Sequence, residues 1–369
     1  MKLIVLLTAM FLLASSVSPQ DNVVFESGKD GAATYRIPAI VRLKSGKLLA
    51  FAEARRKGGS DFGDIDIVMR TSSDGGKSWS AMQAVAENGS MQAGNPAPVV
   101  DLLDPRSPRG RIFLFYNTGD RNEQEVRRGR GTREVWYKTS VDEGSTWSEP
   151  VNITSQVKHP EWRSYANTPG HAIQLTEGEY RGRLLVPMNY SKGEPSKTFD
   201  DYMASAFYSD DHGRTFKISG DVGIAGSNES TAAETGDGRV LLNARNQKGD
   251  QKYRITAHSD DGGATWKDAG FDTTLPDPVC EGSLLRIKGK TLAFANNADT
   301  VHRNGLTVRI SFDEGRTWTK EHLIDRIDDP KGRDFTAYSD IVMIDAKRIG
   351  VLYEKDDYKK IVLKVIDWK

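Results

Sequence analysis

One eight-residue pattern, Ser-x-Asp-x-Gly-x-Ser/Thr-Trp/Phe, occurs five times in this chain of 369 residues. The copies, here called Asp boxes, are Ser72–Trp79, Ser140–Trp147, Ser209–Phe216, Ser259–Trp266 and Ser311–Trp318. The Asp can accept hydrogen bonds from the backbone of a tight turn, the Gly can adopt a positive φ, and the closing aromatic residue can pack back against a sheet. Each box therefore predicts the corner of a β-hairpin.

The spacing of the boxes constrains the fold further. They start at residues 72, 140, 209, 259 and 311, so the intervals are 68, 69, 50 and 52 residues. Each interval accommodates about four short strands, which is the size of one propeller blade. Strand-like segments also precede the first box and follow the last. We therefore predict an all-β fold: a six-bladed β-propeller with five Asp-box hairpin turns, in which one blade lacks a box and is built from both ends of the chain.

Charge and composition exclude some classes of partner. The 51 Lys and Arg residues balance 51 Asp and Glu residues, so no net field attracts nucleic acid or a membrane surface. The one arginine-rich stretch, Arg121–Arg133, also contains acids and glycines, and we interpret it as a solvated rim loop rather than a polyanion site. No Pro/Ser-rich or charged linker divides the sequence, so we predict a single domain over residues 21–369.

The N-terminal sequence predicts export. Met1 and Lys2 are followed by the apolar run Leu3–Ala14 and then by small residues up to Ser18, which is the layout of a signal peptide and too short to span a bilayer. We predict a signal peptide over residues 1–18 and a periplasmic or secreted monomer without a stable membrane anchor. Cys280 is the only cysteine, so no disulfide can form within the chain.

Three arginines stand in unusual settings: Arg36 at the start of a strand, Arg245 at the end of another, and Arg303 just before a third. Arginine is costly to bury without an anionic partner, and its planar fork suits a carboxylate. Each residue alone could belong to a surface salt bridge. In a propeller, however, residues so distant along the chain can converge only at the axis. Together the three arginines predict one site that binds an acid.

Several short motifs, together with these three arginines, resemble those of a known family. From about Tyr35 to Glu354 the sequence resembles the sialidases (exo-α-neuraminidases). The motifs are the Asp boxes, Tyr35–Pro38, Ala52–Arg56 with the following Ser60 and Asp61, Asn228–Ser230 before Arg245, and Tyr338 ahead of Leu352–Glu354. The resemblance implies a catalytic six-bladed propeller with its active site on the axis, and sialylated glycans as its substrates.

The resemblance also implies roles for the arginines. Arg36, Arg245 and Arg303 would grip the carboxylate of sialic acid, Glu354 would hold Arg36, and Arg55 would contact the sugar near its 4-hydroxyl. Arg309 is a competing candidate for the third arginine, but its place inside a strand pattern favours Arg303. The residues that form the pockets for the N-acyl group and the glycerol chain are not assigned from the sequence.

The catalytic chemistry follows from the substrate. The anomeric carbon of a 2-keto sugar acid carries a carboxylate, so a carboxylate nucleophile would approach against like charge, whereas a phenol is neutral until it reacts. The resemblance implies that Tyr338 is the nucleophile, that Glu229 is its base, and that Asp61 protonates the leaving oxygen. Asp64 and Asp66 compete with Asp61, which is preferred because it lies in the loop before the strand. The predicted reaction is a retaining hydrolysis without a metal or an organic cofactor.

Two alternatives remain open at this point. One is a related enzyme that transfers sialic acid, forms an anhydro product or acts on another 2-keto sugar acid. The other is a non-catalytic Asp-box propeller that binds glycans or proteins. The joint presence of the acid, the Tyr and Glu pair and three arginines favours an enzyme.

Overall fold

A computed structural model of the protein describes residues 21–167, 169–328 and 331–369. The predicted signal peptide lies outside the described residues. Within them the chain forms short strands and two brief helices, α1 (Glu123–Arg127) and α2 (Thr154–Val157). Neither helix in this part of the chain is long or apolar enough to cross a membrane. The all-β prediction is confirmed.

The described strands form five sheets, four of which are separate units of four or five strands. The first strand, β1 (Val23–Glu26), belongs to the last of these sheets. The largest sheet consists of two antiparallel groups joined through the parallel pair of Ile65 and Gln92. Its strands are β2 (Thr34–Arg42), β3 (Leu48–Arg55), β4 (Ile65–Ser72) and β5 (Gln83–Ala86) in the first group, and β6 (Gln92–Asp101), β7 (Arg111–Gly119), β8 (Arg133–Ser140) and β9 (Val151–Asn152) in the second.

The next three sheets follow one another along the chain. Their strands are β10 (Trp162–Asn167), β11 (Ile173–Gln174), β12 (Leu184–Lys192), β13 (Tyr202–Ser209) and β14 (Lys217–Ile218); then β15 (Ser227–Glu234), β16 (Val240–Asn246), β17 (Tyr253–Ser259) and β18 (Lys267–Pro276); then β19 (Ser283–Lys288), β20 (Thr291–Asn297), β21 (Leu306–Ser311) and β22 (Lys320–Asp325). Neighbouring strands within each sheet are antiparallel.

The last sheet combines the first and the last described strands. It contains β23 (Thr336–Met343), β24 (Arg348–Lys355) and β25 (Lys360–Asp367), and β1 pairs with β25 through Val23 and Val362. A unit made from both ends of the chain was predicted, and this pairing confirms it. The pairing of β1 with β25 closes the arrangement of sheets. The last sheet can form only when these two strands, which are far apart in the sequence, have come together.

The Asp boxes make the same set of hydrogen bonds. In the box at Asp142, the carboxylate accepts from the Thr146 backbone N–H at 2.9 Å and from the Thr146 hydroxyl at 2.6 Å, while the Ser140 hydroxyl donates to it at 2.8 Å. The Gly144 N–H donates to the Ser140 hydroxyl. Matching bonds surround Asp74, Asp211, Asp261 and Asp313.

The glycine of a box also meets the neighbouring sheet. Gly263 has a φ of 87°, and a Cβ added there would lie 2.7 Å from Leu185 in β12 of the preceding sheet. A Cβ added at Gly144, which has a φ of 85°, would lie 2.9 Å from Leu49 in β3, in the preceding four-stranded group of the eight-stranded sheet. The glycine therefore serves both the turn and the close approach of two successive groups of strands.

Hydrophobic side chains fill the space between successive sheets. Phe115 on β7 and Phe207 on β13 form an edge-to-face pair with ring centroids 5.4 Å apart, and Phe294 on β20 packs beside Trp318 of the fifth box. The first strands of neighbouring groups contact one another, β2 with β6 and β23, and β15 and β23 with β19. The sheets therefore form a propeller-like arrangement whose inner strands surround a common axis.

Candidate active site

Seven of the predicted site residues line one cavity of about 290 Å³ where the inner strands meet. They are Arg36 on β2, Arg55 at the end of β3, Asp61 in the β3–β4 loop, Glu229 on β15, Arg245 on β16, Arg303 in the β20–β21 loop and Tyr338 on β23. Glu354 on β24 lies behind them and is fully buried. In the described ranges, no three His, Cys, Asp or Glu side chains are grouped so that they could hold a metal ion.

Bulges in the inner strands aim these side chains at the cavity. The register of β2 against β3 shifts between Arg36 and Ala39, where Ile37 has a φ of 60°. Similar shifts occur in β15 just before Ser230 and in β23 just before Ser339. A bulge places an extra residue in one strand and re-aims its neighbours. Arg36, Glu229 and Tyr338 each lie within such a shift.

Tyr338 and Glu229 form a direct pair at the base of the cavity. The Tyr338 hydroxyl donates to Glu229, with distances of 2.6 Å to Oε1 and 2.7 Å to Oε2. Burial raises the pKa of Tyr338 well above its usual value and the charge of Glu229 adds to this, although Arg245 and Arg303 act in the opposite direction. The resting side chain is a neutral phenol whose proton already points at a carboxylate.

Arg245 joins this pair from the neighbouring strand. Its Nη1 lies 2.6 Å from Glu229 Oε2 and 2.8 Å from the Tyr338 hydroxyl. A positive charge beside the phenol oxygen stabilises the negative charge that develops there when the proton leaves. One arginine can therefore serve both the binding of an anion and the activation of the phenol.

Arg36 is held by the buried Glu354. Its Nε donates to Glu354 Oε1 at 2.7 Å, and the Ile37 N–H donates to the same oxygen at 2.8 Å. The other carboxylate oxygen accepts from the Tyr338 N–H at 3.1 Å. Burial opposes the charge of Arg36, but Glu354 outweighs it and holds the pKa of Arg36 above its usual value. Glu354 thus ties the strands of Arg36 and Tyr338 to one carboxylate.

Arg303 is the third of the predicted acid-binding arginines, and it also lines the cavity. Its Nη2 donates to the Val279 carbonyl at 3.3 Å, and its Cζ lies 5.6 Å from the centroid of the Tyr338 ring. The competing candidate, Arg309, does not line the cavity. Its Nε donates to Glu321 at 2.8 Å and its Nη1 to the Asn296 side chain at 2.9 Å, so it braces the sheet of β19–β22.

Asp61 lies at the mouth of the cavity, where its side chain is 83% exposed. Its Oδ1 accepts from Arg55 Nη1 at 2.7 Å and lies 3.9 Å from Arg36 Nη1. The protein around the mouth of the cavity removes part of the water near this exposed carboxylate and so raises the pKa of Asp61, but the charges of Arg55 and Arg36 outweigh this effect and hold that pKa below its usual range. In this state Asp61 is a carboxylate. To donate a proton it must separate from Arg55, which Glu53 holds through two bonds of 3.0 and 2.8 Å.

The far wall of the cavity was not identified from the sequence. It is polar and comes from the second and third groups of strands: Gln92, Asn95, Asn117, Glu123, Arg133, Ser164, Asn189 and Tyr202. Glu123 accepts hydrogen bonds from both the Ser164 and the Tyr202 hydroxyls, and Arg133 Nη2 lies 3.6 Å from it. These residues present donors and acceptors to the part of a ligand that points away from the arginines.

The interpretation of Arg121–Arg133 as a solvated rim loop is wrong for part of the stretch. Arg133 is buried in the cavity wall, and the buried Arg127 donates to Asp201 at 3.0 and 2.7 Å. Arg128 and Arg130 are exposed and pair with Glu125. The error arose because acids and glycines between arginines indicate solvation on average. In the structure one face of α1 turns Val126 and Arg127 inwards, and Arg133 is the buried first residue of β8.

The chain is similar to known proteins along most of its length. Residues 46–351 match the family described as BNR repeat-like domain. The chain is 32% identical to an exo-alpha-sialidase of Aspergillus fumigatus over 361 residues, which cover 88% of this chain and 80% of that protein.

The chain belongs to the sialidase family of glycoside hydrolases with Asp-box repeats. It is also 32% identical to a sialidase of Micromonospora viridifaciens and 31% identical to one of Bacteroides fragilis, over 89% and 90% of this chain. It spans 51% and 62% of the lengths of those two proteins.

Solved structures of sialidases share the fold. A Hadza microbial sialidase superposes with a TM-score of 0.76 at 27% identity, covering 94% of this chain and 68% of that one. A leech intramolecular trans-sialidase superposes with a TM-score of 0.75 at 18% identity, covering 96% and 71%. The second likeness shows the fold alone.

Proposed function

We propose that this member of the sialidase family is an exo-α-sialidase that releases terminal sialic acid from glycoproteins, glycolipids or oligosaccharides. The observation that carries the proposal is the phenol of Tyr338 in direct contact with both Glu229 and Arg245, inside a cavity lined by four further arginines. A binding module needs the arginines but has no use for a phenol placed against a carboxylate. This contact therefore favours an enzyme over a glycan-binding propeller.

The first half of the reaction forms a covalent intermediate. The Tyr338 oxygen attacks the anomeric carbon while Glu229 takes the phenol proton, and the bond from that carbon to the leaving oxygen breaks. Asp61, once released from Arg55 and protonated, gives its proton to the leaving oxygen. Arg36, Arg245 and Arg303 hold the substrate carboxylate in place, and through its position they stabilise the oxocarbenium-like transition state.

The second half regenerates the enzyme. Asp61, now a carboxylate, takes a proton from water, and the water oxygen bonds to the anomeric carbon from the face that the first product left. The bond to Tyr338 breaks and Glu229 returns the proton to the phenolate. Two displacements at one carbon retain its configuration.

We propose six blades for the ring in which this chemistry takes place. Two features support that count: the eight-stranded sheet divides at the single Ile65–Gln92 pair into two four-stranded groups, and apolar clusters lie between successive groups. The unit of β1 and β23–β25 has no turn at the position that a sixth Asp box would occupy. An experimental structure that counts another number of blades would overturn this.

We also propose that the protein is exported, because of its N-terminal sequence. A second and separate proposal is that it is a monomer. Expression of the full chain, followed by sequencing of the N-terminus of the exported protein and light scattering, tests both points. A mature N-terminus near residue 19 and the mass of one chain are the expected results.

The activity is tested with an aryl α-sialoside and with sialyllactose, following the products by NMR. We expect free sialic acid that appears first as the α-anomer. An anhydro product or the transfer of sialic acid to lactose would instead show that the protein is one of the alternative enzymes. A failure to turn over sialosides of any linkage would overturn the proposal. A fluorinated sialosyl fluoride that slows hydrolysis of the intermediate should leave a sugar adduct on the peptide that contains Tyr338.

A further inference from the structure

Tyr358 contacts two of the three arginines proposed to hold the substrate carboxylate, although it does not line the cavity itself. Its ring centroid lies 3.9 Å from Arg36 Cζ, and its hydroxyl oxygen accepts from Arg303 Nη1 at 3.2 Å. The same hydroxyl donates to Asp334. No role followed for Tyr358 from the sequence, where it stands in an unremarkable run of charged residues, Lys355–Lys360.

The backbone at Tyr358 is strained. Asp356, Asp357 and Tyr358 follow one another in the β24–β25 turn with φ values of 56°, 51° and 63°. Aspartate tolerates this left-handed conformation, but a bulky aromatic residue seldom adopts it. Such a conformation persists only where the surroundings hold it, and it is found more often at ligand clamps than elsewhere.

Several hydrogen bonds hold the turn in place. The Ser27 hydroxyl donates to the Tyr358 carbonyl at 2.7 Å. The backbone N–H groups of Asp356 and Asp357 donate to the carbonyls of Phe335 and Asp334 at 2.8 and 3.0 Å. The turn is thus fixed to the segment that leads into β23 and Tyr338.

We propose that Tyr358 is a positioning residue that fixes Arg36 and Arg303 in the mutual orientation that one carboxylate requires. This inference rests on the proposed function of the arginines as the binding site for the sialic acid carboxylate. Two neighbouring cations repel each other. The centroid of the Tyr338 ring lies 5.4 Å from Arg36 Cζ and 5.6 Å from Arg303 Cζ, and Tyr358 adds a closer contact with each of them. The electron-rich face of Tyr358 attracts Arg36, and its oxygen attracts Arg303.

A neutral side chain suits this task better than an acid. Glu354 already pairs with Arg36 at 2.7 Å, and Asp334 Oδ2 lies 3.8 Å from Arg303 Nη1. A further carboxylate between the arginines would neutralise more of the charge that has to attract the substrate, and it would compete with the substrate carboxylate for the same donors. Burial raises the pKa of Tyr358 above its usual value, so the side chain stays a phenol. It can therefore accept from Arg303 while it donates to Asp334.

The test is a pair of substitutions at this position. Tyr358→Leu removes the ring face and the hydroxyl, and we expect KM for an aryl α-sialoside to rise about tenfold or more. Tyr358→Phe keeps the ring face, and we expect a rise of about threefold. In both variants kcat should stay within about threefold of the wild type, because the arginines hold the carboxylate in the ground state and in the transition state alike.

Tyr208→Leu is the matched control. It removes another tyrosine that stacks on an arginine, with Arg183 Cζ 4.1 Å from the ring centroid, and neither residue lines the cavity. We expect its KM to equal that of the wild type, even if its melting temperature falls. Calorimetry with free sialic acid should show affinity reduced in Tyr358→Leu by the same factor as the KM change.

The outcomes separate the two proposals. A wild-type protein without activity on sialosides overturns the proposed function, whatever the variants do. An active wild type with an unchanged KM in folded Tyr358→Leu overturns the positioning role. If Tyr358→Leu does not fold, Tyr358→Phe decides, since an unchanged KM in that variant contradicts the bridge to Arg303.

Discussion

The hydroxyl of Tyr338 lies 2.6 Å and 2.7 Å from the two carboxylate oxygens of Glu229, a residue 109 positions away in the chain. The phenol oxygen also accepts from Arg245 Nη1 at 2.8 Å. The phenol is therefore placed between the group that can remove its proton and the charge that can stabilise the resulting phenolate. This arrangement is a consequence of the ring, because Glu229 and Arg245 lie on the paired strands β15 and β16, whereas Tyr338 lies on β23 in another sheet.

Tyr338→Phe should lower kcat on an aryl α-sialoside by about 10³-fold or more, because it removes the attacking oxygen. Glu229→Gln should lower kcat by about 10²–10⁴-fold, since the amide can accept the hydrogen bond but cannot take the proton. Initial rates and melting temperatures of both variants provide the measurement. Folded variants that keep more than a tenth of wild-type kcat would exclude these roles.

Asp61→Ala should distinguish substrates by their leaving groups. On sialyllactose, whose leaving oxygen needs a proton, we expect kcat/KM to fall by about 10²–10⁴-fold. On an activated aryl sialoside the first step no longer needs the acid, so the loss should be smaller, and the remaining loss should reflect the attack by water. Equal losses on the two substrates would argue against Asp61 as the proton donor.

Arg303 and Arg309 provide a matched comparison. Arg303→Lys should raise KM for a sialoside about tenfold or more, because a lysine cannot form two parallel hydrogen bonds to a carboxylate. Arg309→Lys should leave KM unchanged, since Arg309 binds Glu321 and Asn296 outside the cavity. Steady-state kinetics of the two variants give both KM values. A raised KM in Arg309→Lys with an unchanged KM in Arg303→Lys would show that Arg309, and not Arg303, binds the substrate carboxylate.

The Asp boxes should make the fold sensitive to acid. Hydrogen bonds from Thr146 lower the pKa of Asp142 to about 2, against about 3.9 in an unfolded chain. Since the folded pKa is lower, this carboxylate stabilises the fold above about pH 4, and the contribution is lost as pH falls towards 2. Melting temperature should therefore drop between pH 4 and pH 2.

Asp142→Asn should reduce that acid dependence and lower the melting temperature at neutral pH, because the charged acceptor is lost. Thermal melts of wild type and variant at several pH values measure both effects. A variant with the same slope of melting temperature against pH as the wild type would show that the acid sensitivity has another source.

The local motifs of the chain could be predicted because the hydrogen bonds of each motif join residues that are only a few positions apart. The turn at Asp142 involves only Ser140–Thr146, so its hydrogen bonds are encoded in consecutive positions. The three arginines of the predicted acid site could be singled out because each stands at the boundary of a strand pattern, and the family resemblance supplied their expected roles. The sequence could rank Arg303 above Arg309, but it could not show that Arg303 lines the cavity while Arg309 is buried elsewhere in the sheet of β19–β22.

The sequence by itself determined the repeating hairpins, the all-β class and the kinds of side chain available for an acidic sugar, since these depend on local hydrogen bonding and composition. Only the tertiary structure decided which of them meet. The Arg36–Glu354 bond joins residues 318 positions apart, and the polar wall of Glu123, Ser164 and Tyr202 comes from separate strands and a helix. Such contacts carry no local pattern, because the closure of the ring, rather than any neighbour in the chain, brings these side chains together.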